Sequence, residues 1–290
     1  MQKKIIQAFL VLALLGIIVG CADTSDFSTM LKKAEAGDHD AQISLGFMYA
    51  EGQGVPQDYK KAAEWFTRAA DQGEALAQTS LGVMYDKGLG VAQDYKKAVE
   101  WYARAVDKGV PLAQTNLGVM YLNGRGVAQD YKKALQWFAK AADQGEALAQ
   151  FNLGLMYYNG QGVLKDYKKA VQWFTMAADQ GEVSAQYNLG VMYADGLGVA
   201  QDDKKALQWF ARAADQGEAL AQFSLGVMYV NGYGVAQDDV QAYKWFNLAA
   251  AQGDEEAREN RESVLKKMTP AQIAEGQRLS REAMERIQRK

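Results

Sequence analysis

The residues best suited to acid–base or nucleophilic chemistry are scarce in this chain: one histidine, His39, and one cysteine, Cys21, in 290 residues. His39 reads as a surface residue at the start of a helix, which leaves no triad base and no histidine metal cluster. A lone cysteine leaves no internal disulfide. The G-x-G pairs, from Gly52/Gly54 to Gly232/Gly234, have the spacing of phosphate-binding loops. They follow helical patterns rather than strands and recur in every unit, so they are structural turns. The recurring aspartates (Asp58, Asp94, Asp130, Asp166, Asp202, Asp238) each precede a helical run and read as N-caps, not as paired catalytic acids. The residues thus point to a protein that is not an enzyme and holds no cofactor and no metal.

The elements behind these residues are repeats. In Glu146–Gly181, Ala149, Leu153, Met156 and Tyr157 line one face of a first helix. Asn159-Gly160-Gln161-Gly162 stops it, because Asn and Gly tolerate the left-handed conformation of a helix C-terminus. A second helix, capped by Asp166, carries Ala170, Trp173, Phe174, Ala177 and Ala178, and Gly181 ends it. Neither helix can bury its apolar face alone, so the unit needs neighbours. They recur every 36 residues: Gly37 to Gly253 at the hairpin ends, Trp65 to Trp245 in the second helices, Gly46 to Gly226 inside the first. Glycine inside a helix costs about 1 kcal/mol relative to alanine, so its regular use predicts another helix passing too close for a side chain. The tryptophans read as inter-helix core. Helix pairs are predicted near 38–51/59–72, 74–87/95–108, 110–123/131–144, 146–159/167–180, 182–195/203–216 and 218–231/239–252.

Composition agrees with one continuous helical array. The chain is 49% hydrophobic and 11% aromatic with three prolines, ample for a packed core. A net charge of −3 with scattered basic residues excludes a nucleic-acid partner.

The pattern A-x3-L-G-x2-Y-x2-G-x-G-V-x3-D-x3-A-x2-W-F-x2-A-A-x2-G closely resembles the Sel-1-like repeat, a relative of the tetratricopeptide repeat. The resemblance implies an all-α, right-handed α-solenoid of helix–turn–helix repeats that binds a protein or an extended peptide and does no chemistry. Some proteins of this type with paired cysteines act on or bind β-lactams. Those pairs are missing here, so an enzyme for cell-wall or β-lactam substrates is the lesser alternative.

Four segments are expected. Residues 1–20, with two lysines and an apolar run from Ile5 to Val19, form a signal peptide too short for a comfortable membrane span. Ile18-Val19-Gly20-Cys21 resembles a bacterial lipobox, which makes Cys21 the acylated first residue of the mature chain. Ala22 rather than aspartate then favours the outer membrane, facing the periplasm. Residues 21–37 are a tether and an N-terminal capping helix built on Phe27, Met30, Leu31 and Ala34. Six repeats occupy 38–253. Residues 254–290 form C-terminal capping helices broken at Thr269-Pro270, with a narrow apolar stripe of Val264, Leu265, Met268, Ile273, Leu279, Met284 and Ile287.

By the same resemblance the first helix of each pair lines the concave surface. Opposite its core row, the positions of Leu148, Phe151, Leu155 and Tyr158 are apolar and change between units, whereas structural positions stay nearly constant. A partner-binding groove is therefore expected around Phe151, Tyr158, Tyr187 and Phe223, flanked by Asn116, Asn152 and Asn188, whose amides can pair with an extended peptide backbone. Asn123, Asn159 and Asn231, each before a glycine, read as helix C-caps.

Overall fold

The computed structural model describes residues 24–289, and among these every regular element is an α-helix. Residues 1–23, which include the expected signal segment and Cys21, lie outside the described residues. The order is α1 (Thr24–Glu35), α2 (His39–Glu51), α3 (Tyr59–Asp71), α4 (Ala75–Lys87), α5 (Tyr95–Val106), α6 (Pro111–Asn123) and α7 (Tyr131–Asp143). It continues with α8 (Ala147–Asn159), α9 (Tyr167–Asp179), α10 (Val183–Asp195), α11 (Asp203–Ala214), α12 (Ala219–Asn231), α13 (Asp239–Ala251), α14 (Glu255–Leu265) and α15 (Pro270–Gln288). The predicted helix pairs agree with α2/α3 through α12/α13 to within two residues at each end. The chain divides into two compact units, one ending at Glu146 and one beginning at Ala147. Each is a stack in which a helical hairpin packs on the next, the α-solenoid arrangement expected from the period.

Each hairpin is closed by the same devices. An aspartate caps the second helix: the Asp58 carboxylate accepts from the Lys60 and Lys61 amides, and Asp94, Asp130, Asp166, Asp202 and Asp238 act alike. The first helix ends in a left-handed glycine such as Gly52 or Gly196, and no other residue type among the described residues has positive φ. The asparagines before these glycines are therefore not left-handed caps: Asn123 and Asn231 are the last helical residues, and their amides donate to the Val119 and Val227 carbonyls.

The glycine inside each first helix faces a ring, not a helix backbone. A Cβ on Gly154 falls 2.6 Å from Phe174 of α9, one on Gly190 falls 2.5 Å from Phe210, and one on Gly226 falls 2.5 Å from Phe246. The expected close approach exists, but an aromatic side chain makes it and is buried by doing so.

A glutamine pair adds a polar rung to nearly every hairpin. Gln72 Nε2 donates to Gln42 Oε1 at 2.8 Å, and Gln144–Gln114, Gln180–Gln150, Gln216–Gln186 and Gln252–Gln222 repeat the bond at 2.8–2.9 Å. In the second hairpin Lys108 takes the donor's place, and the buried Gln78 Oε1 has no hydrogen-bond partner.

In the first unit α1 packs on α2, with Ala34 in a core cluster beside Leu45 and Trp65. In the second, α14 and α15 both pack on α13. Asp254 caps α14, and Thr269 with Gln272 forms a capping box at the start of α15. The buried face of α15 is Gly276, Ser280 and Ala283. The expected apolar stripe is only half-buried at Ile273, Leu279 and Ile287, and Met284 is exposed. The reason is a close approach: a Cβ on Gly276 falls 2.6 Å from the Tyr243 ring, a distance that only small residues permit. Among the described residues no helix is long and apolar enough to cross a membrane.

Candidate protein-binding surface

In the second unit α8, α10 and α12 present the predicted row, and its rings are half-buried. Each ring rests on the second helix of its own hairpin. Phe151 meets Phe174 with centroids 5.7 Å apart, Tyr187 meets Phe210 at 5.7 Å, and Phe223 meets Phe246 at 5.8 Å, all tilted by 37–52°. The rings beneath are the ones packed on the mid-helix glycines, so the row is tied to the core at one face and open at the other. Tyr158 lies edge-on to Tyr167 at 5.2 Å. Burial raises the Tyr187 pKa above the ordinary tyrosine value, with Glu218 and Asp195 adding to the rise and a hydrogen bond with Ser224 of α12 opposing it.

The flanking asparagines are only partly available. Asn152 Nδ2 donates to the Leu148 carbonyl and Asn188 Nδ2 to the Ser184 carbonyl, both at 2.7 Å. One amide hydrogen of each is thus held by its own helix, and the carbonyl oxygen remains the better reader of a peptide N–H. Asn116 is half-buried on α6 of the first unit, whose row residue Thr115 is buried with its hydroxyl donating to the Pro111 carbonyl. The structure gathers the four aromatic residues and two of the three asparagines into the second unit.

Trp65, Trp101, Trp137, Trp209 and Trp245 belong to or pack against the core clusters, as expected, but to different depths. Trp65 and Trp245 are buried, but Trp101, Trp137, Trp173 and Trp209 are half-buried. A basic side chain three residues on covers the ring: Arg68 on Trp65, Arg104 on Trp101 and Arg212 on Trp209, each 4.4 Å from the centroid, and Lys140 on Trp137 at 4.5 Å. Such contacts arise because a partly exposed ring keeps its negative face toward a cation that stays solvated. The W-x-x-[RK] spacing that signals them is legible in the sequence. His39 is exposed at the start of α2, 3.4 Å from Glu74 and 3.3 Å from Asp40.

Six consecutive segments, 39–74, 75–110, 111–146, 147–182, 183–218 and 219–254, match the family model described as Sel1 repeat. A crystal structure of a Sel1 repeat protein from Oxalobacter formigenes is 31% identical, covers 78% of this chain and 97% of its own, and superposes with a TM-score of 0.68. A protective antigen of uropathogenic Escherichia coli strains, described as having an SLR fold, is also 31% identical over 99% of this chain and 76% of its own, with a TM-score of 0.42. An immunity protein from Pseudomonas aeruginosa is 22% identical over 73% of this chain and 81% of its own, with a TM-score of 0.49. No curated protein matches the chain. Six matched repeats over most of its length place this chain in the Sel1 repeat family, whose scaffolds typically serve protein–protein interaction.

Proposed function

We propose that the protein is a non-catalytic scaffold of the bacterial envelope that binds another protein, or an extended segment of one, along the row formed by α8, α10 and α12. The observation that supports this reading most is Phe151, Tyr187 and Phe223: half-buried rings of changing identity on an otherwise constant frame. Aromatic residues anchored on one face supply large contact area at low entropic cost, which is what dominates protein interfaces. Tyr158 extends the row, and the free carbonyl oxygens of Asn152 and Asn188 offer acceptors beside it. A Cys21 lipid anchor holds the protein to the outer membrane on its periplasmic side. Within that setting it serves as an immunity protein against a secreted toxin or as an assembly adaptor.

Because the rings rest on core phenylalanines, the test keeps an apolar side chain in place. The chain from Ala22 and its Phe151→Leu/Tyr187→Leu/Phe223→Leu variant are used to capture partners from envelope extracts. Loss of a specific partner at unchanged melting temperature supports the row, and unchanged capture moves the site elsewhere. Cys21→Ser tests the anchor separately through loss of fatty-acid labelling and of membrane sedimentation.

A further inference from the structure

Trp173 is the tryptophan whose ring, among the described residues, no cation covers. Met176 stands where the neighbouring repeats place Arg104, Lys140 or Arg212, and Gln172 stands where Lys244 covers Trp245 at 3.8 Å. Met176 is 46% exposed and, with Trp173 and Val171, lines an open groove of about 630 Å³ along α9.

The same positions on α13 show what covers such a face. There Leu248 replaces the usual cation, as Met176 does on α9, and the chain lays its own helix α15 across the exposed side. Ala283 joins Trp245 and Leu248 in one core cluster, and Gly276 sits against Tyr243. Tyr243, Trp245 and Leu248 are the counterparts, two repeats on, of Val171, Trp173 and Met176. Residues that α15 covers on α13 thus have their counterparts, Val171, Trp173 and Met176, in the lining of the groove on α9, beside Tyr157, Lys169, Gln172 and Thr175.

We propose that the exposed face of α9 is a second docking surface, which takes an amphipathic helix of a partner protein seated as α15 is seated on α13 and bringing an arginine or lysine onto the Trp173 ring. A helix seated in this way presses a face of small residues, as Gly276, Ser280 and Ala283 of α15 do, against the α9 face, and a basic residue at the margin of that face supplies the cation that α13 has in its own Lys244 and this repeat lacks. This face carries residues on the second helix of the repeat and is distinct from the aromatic row of the first helices.

The probe is a fluorescently labelled synthetic peptide with the sequence of residues 269–289, the one helix known to fit such a face. It is titrated onto the full chain and read by fluorescence anisotropy. The expected result is saturable one-to-one binding that Met176→Arg weakens at least tenfold, with helical content and melting temperature retained because arginine is native to this position in other repeats. Phe151→Leu/Tyr187→Leu/Phe223→Leu is expected to leave peptide affinity unchanged, which separates this surface from the row above. Absence of saturable binding overturns the proposal. Binding that Met176→Arg does not alter also overturns it, since the peptide is then exchanging with α15 on α13.

Discussion

The helices α9 and α13 occupy the same place in two hairpins of one unit, yet Leu248 is 3% exposed and its counterpart Met176 is 46% exposed. Their interiors are alike. Phe174 and Phe246 each press on a glycine of the preceding helix, Asp166 and Asp238 cap their starts, and Gln180 and Gln252 each close a glutamine rung. The difference lies outside. One helix carries α15 and the other carries none of the described residues in its place. Packing inside the hairpin fixes the fold, so the outward positions are free to be rewritten for cover or for contact.

Introducing the same cation on both helices separates the two environments most strongly. Leu248→Arg places a charge in a dry cluster and is expected to cost on the order of 4 kcal/mol or to detach α15, seen as a large fall in melting temperature. Met176→Arg recreates a contact present on Trp101 and Trp209 and is expected to be neutral or to stabilise by roughly 0.5 kcal/mol. Equal losses at both positions would contradict the idea that only α13 is covered.

Truncating the tryptophans sharpens the same contrast. Trp245→Ala should cost about 3–5 kcal/mol, the range for emptying a buried aromatic site. Trp173→Ala, half-buried and without a covering cation, should cost roughly 1–2 kcal/mol, because less of the ring leaves an apolar environment. Chemical denaturation of the two variants measures the gap. The interior supplies the control: Gly154→Ala and Gly226→Ala force a methyl against Phe174 and Phe246 at nearly the same distance, and each should cost about 2 kcal/mol. A clear inequality between them would show that the two hairpins differ inside as well.

Much of this frame was legible in the sequence. The 36-residue step, the capping aspartates and the glycine stops located every repeat helix, because those signals are local and act through the backbone. Side-chain partners were harder. The glycines of the first helices announced a close approach, but spacing alone does not say whether a ring or a backbone makes it. The tryptophans read as core because ring area favours burial, and the basic residues three positions on signal the cation laid over four of the rings. The repeat pattern puts the aromatic row on first helices, yet its attachment to Phe174, Phe210 and Phe246 depends on how the two helices of a hairpin rotate against each other. In α15 the apolar residues suggested one face and the small residues form the buried one, since the Tyr243 ring sets how near the helix must come.

The glutamine rung extends the comparison to the first unit. Gln78 Nε2 donates to the Ala70 carbonyl at 3.1 Å, as the corresponding glutamines do in the second unit, but its Oε1 is buried without a donor. The residue thirty positions on is Lys108 rather than glutamine. A lysine at the hairpin end keeps its ammonium in water, since withdrawing that charge to satisfy one amide oxygen costs more than the bond returns. Lys108→Gln supplies a neutral donor of the reach that Gln72 and Gln144 use. It should stabilise the first unit by about 1 kcal/mol, the usual worth of satisfying a buried polar atom. Gln216→Lys in the second unit is expected to lose a similar amount by leaving Gln186 Oε1 unpaired. Melting curves of the two variants check both signs. A gain in the first without a loss in the second would mean that the rung stabilises by something other than the buried oxygen.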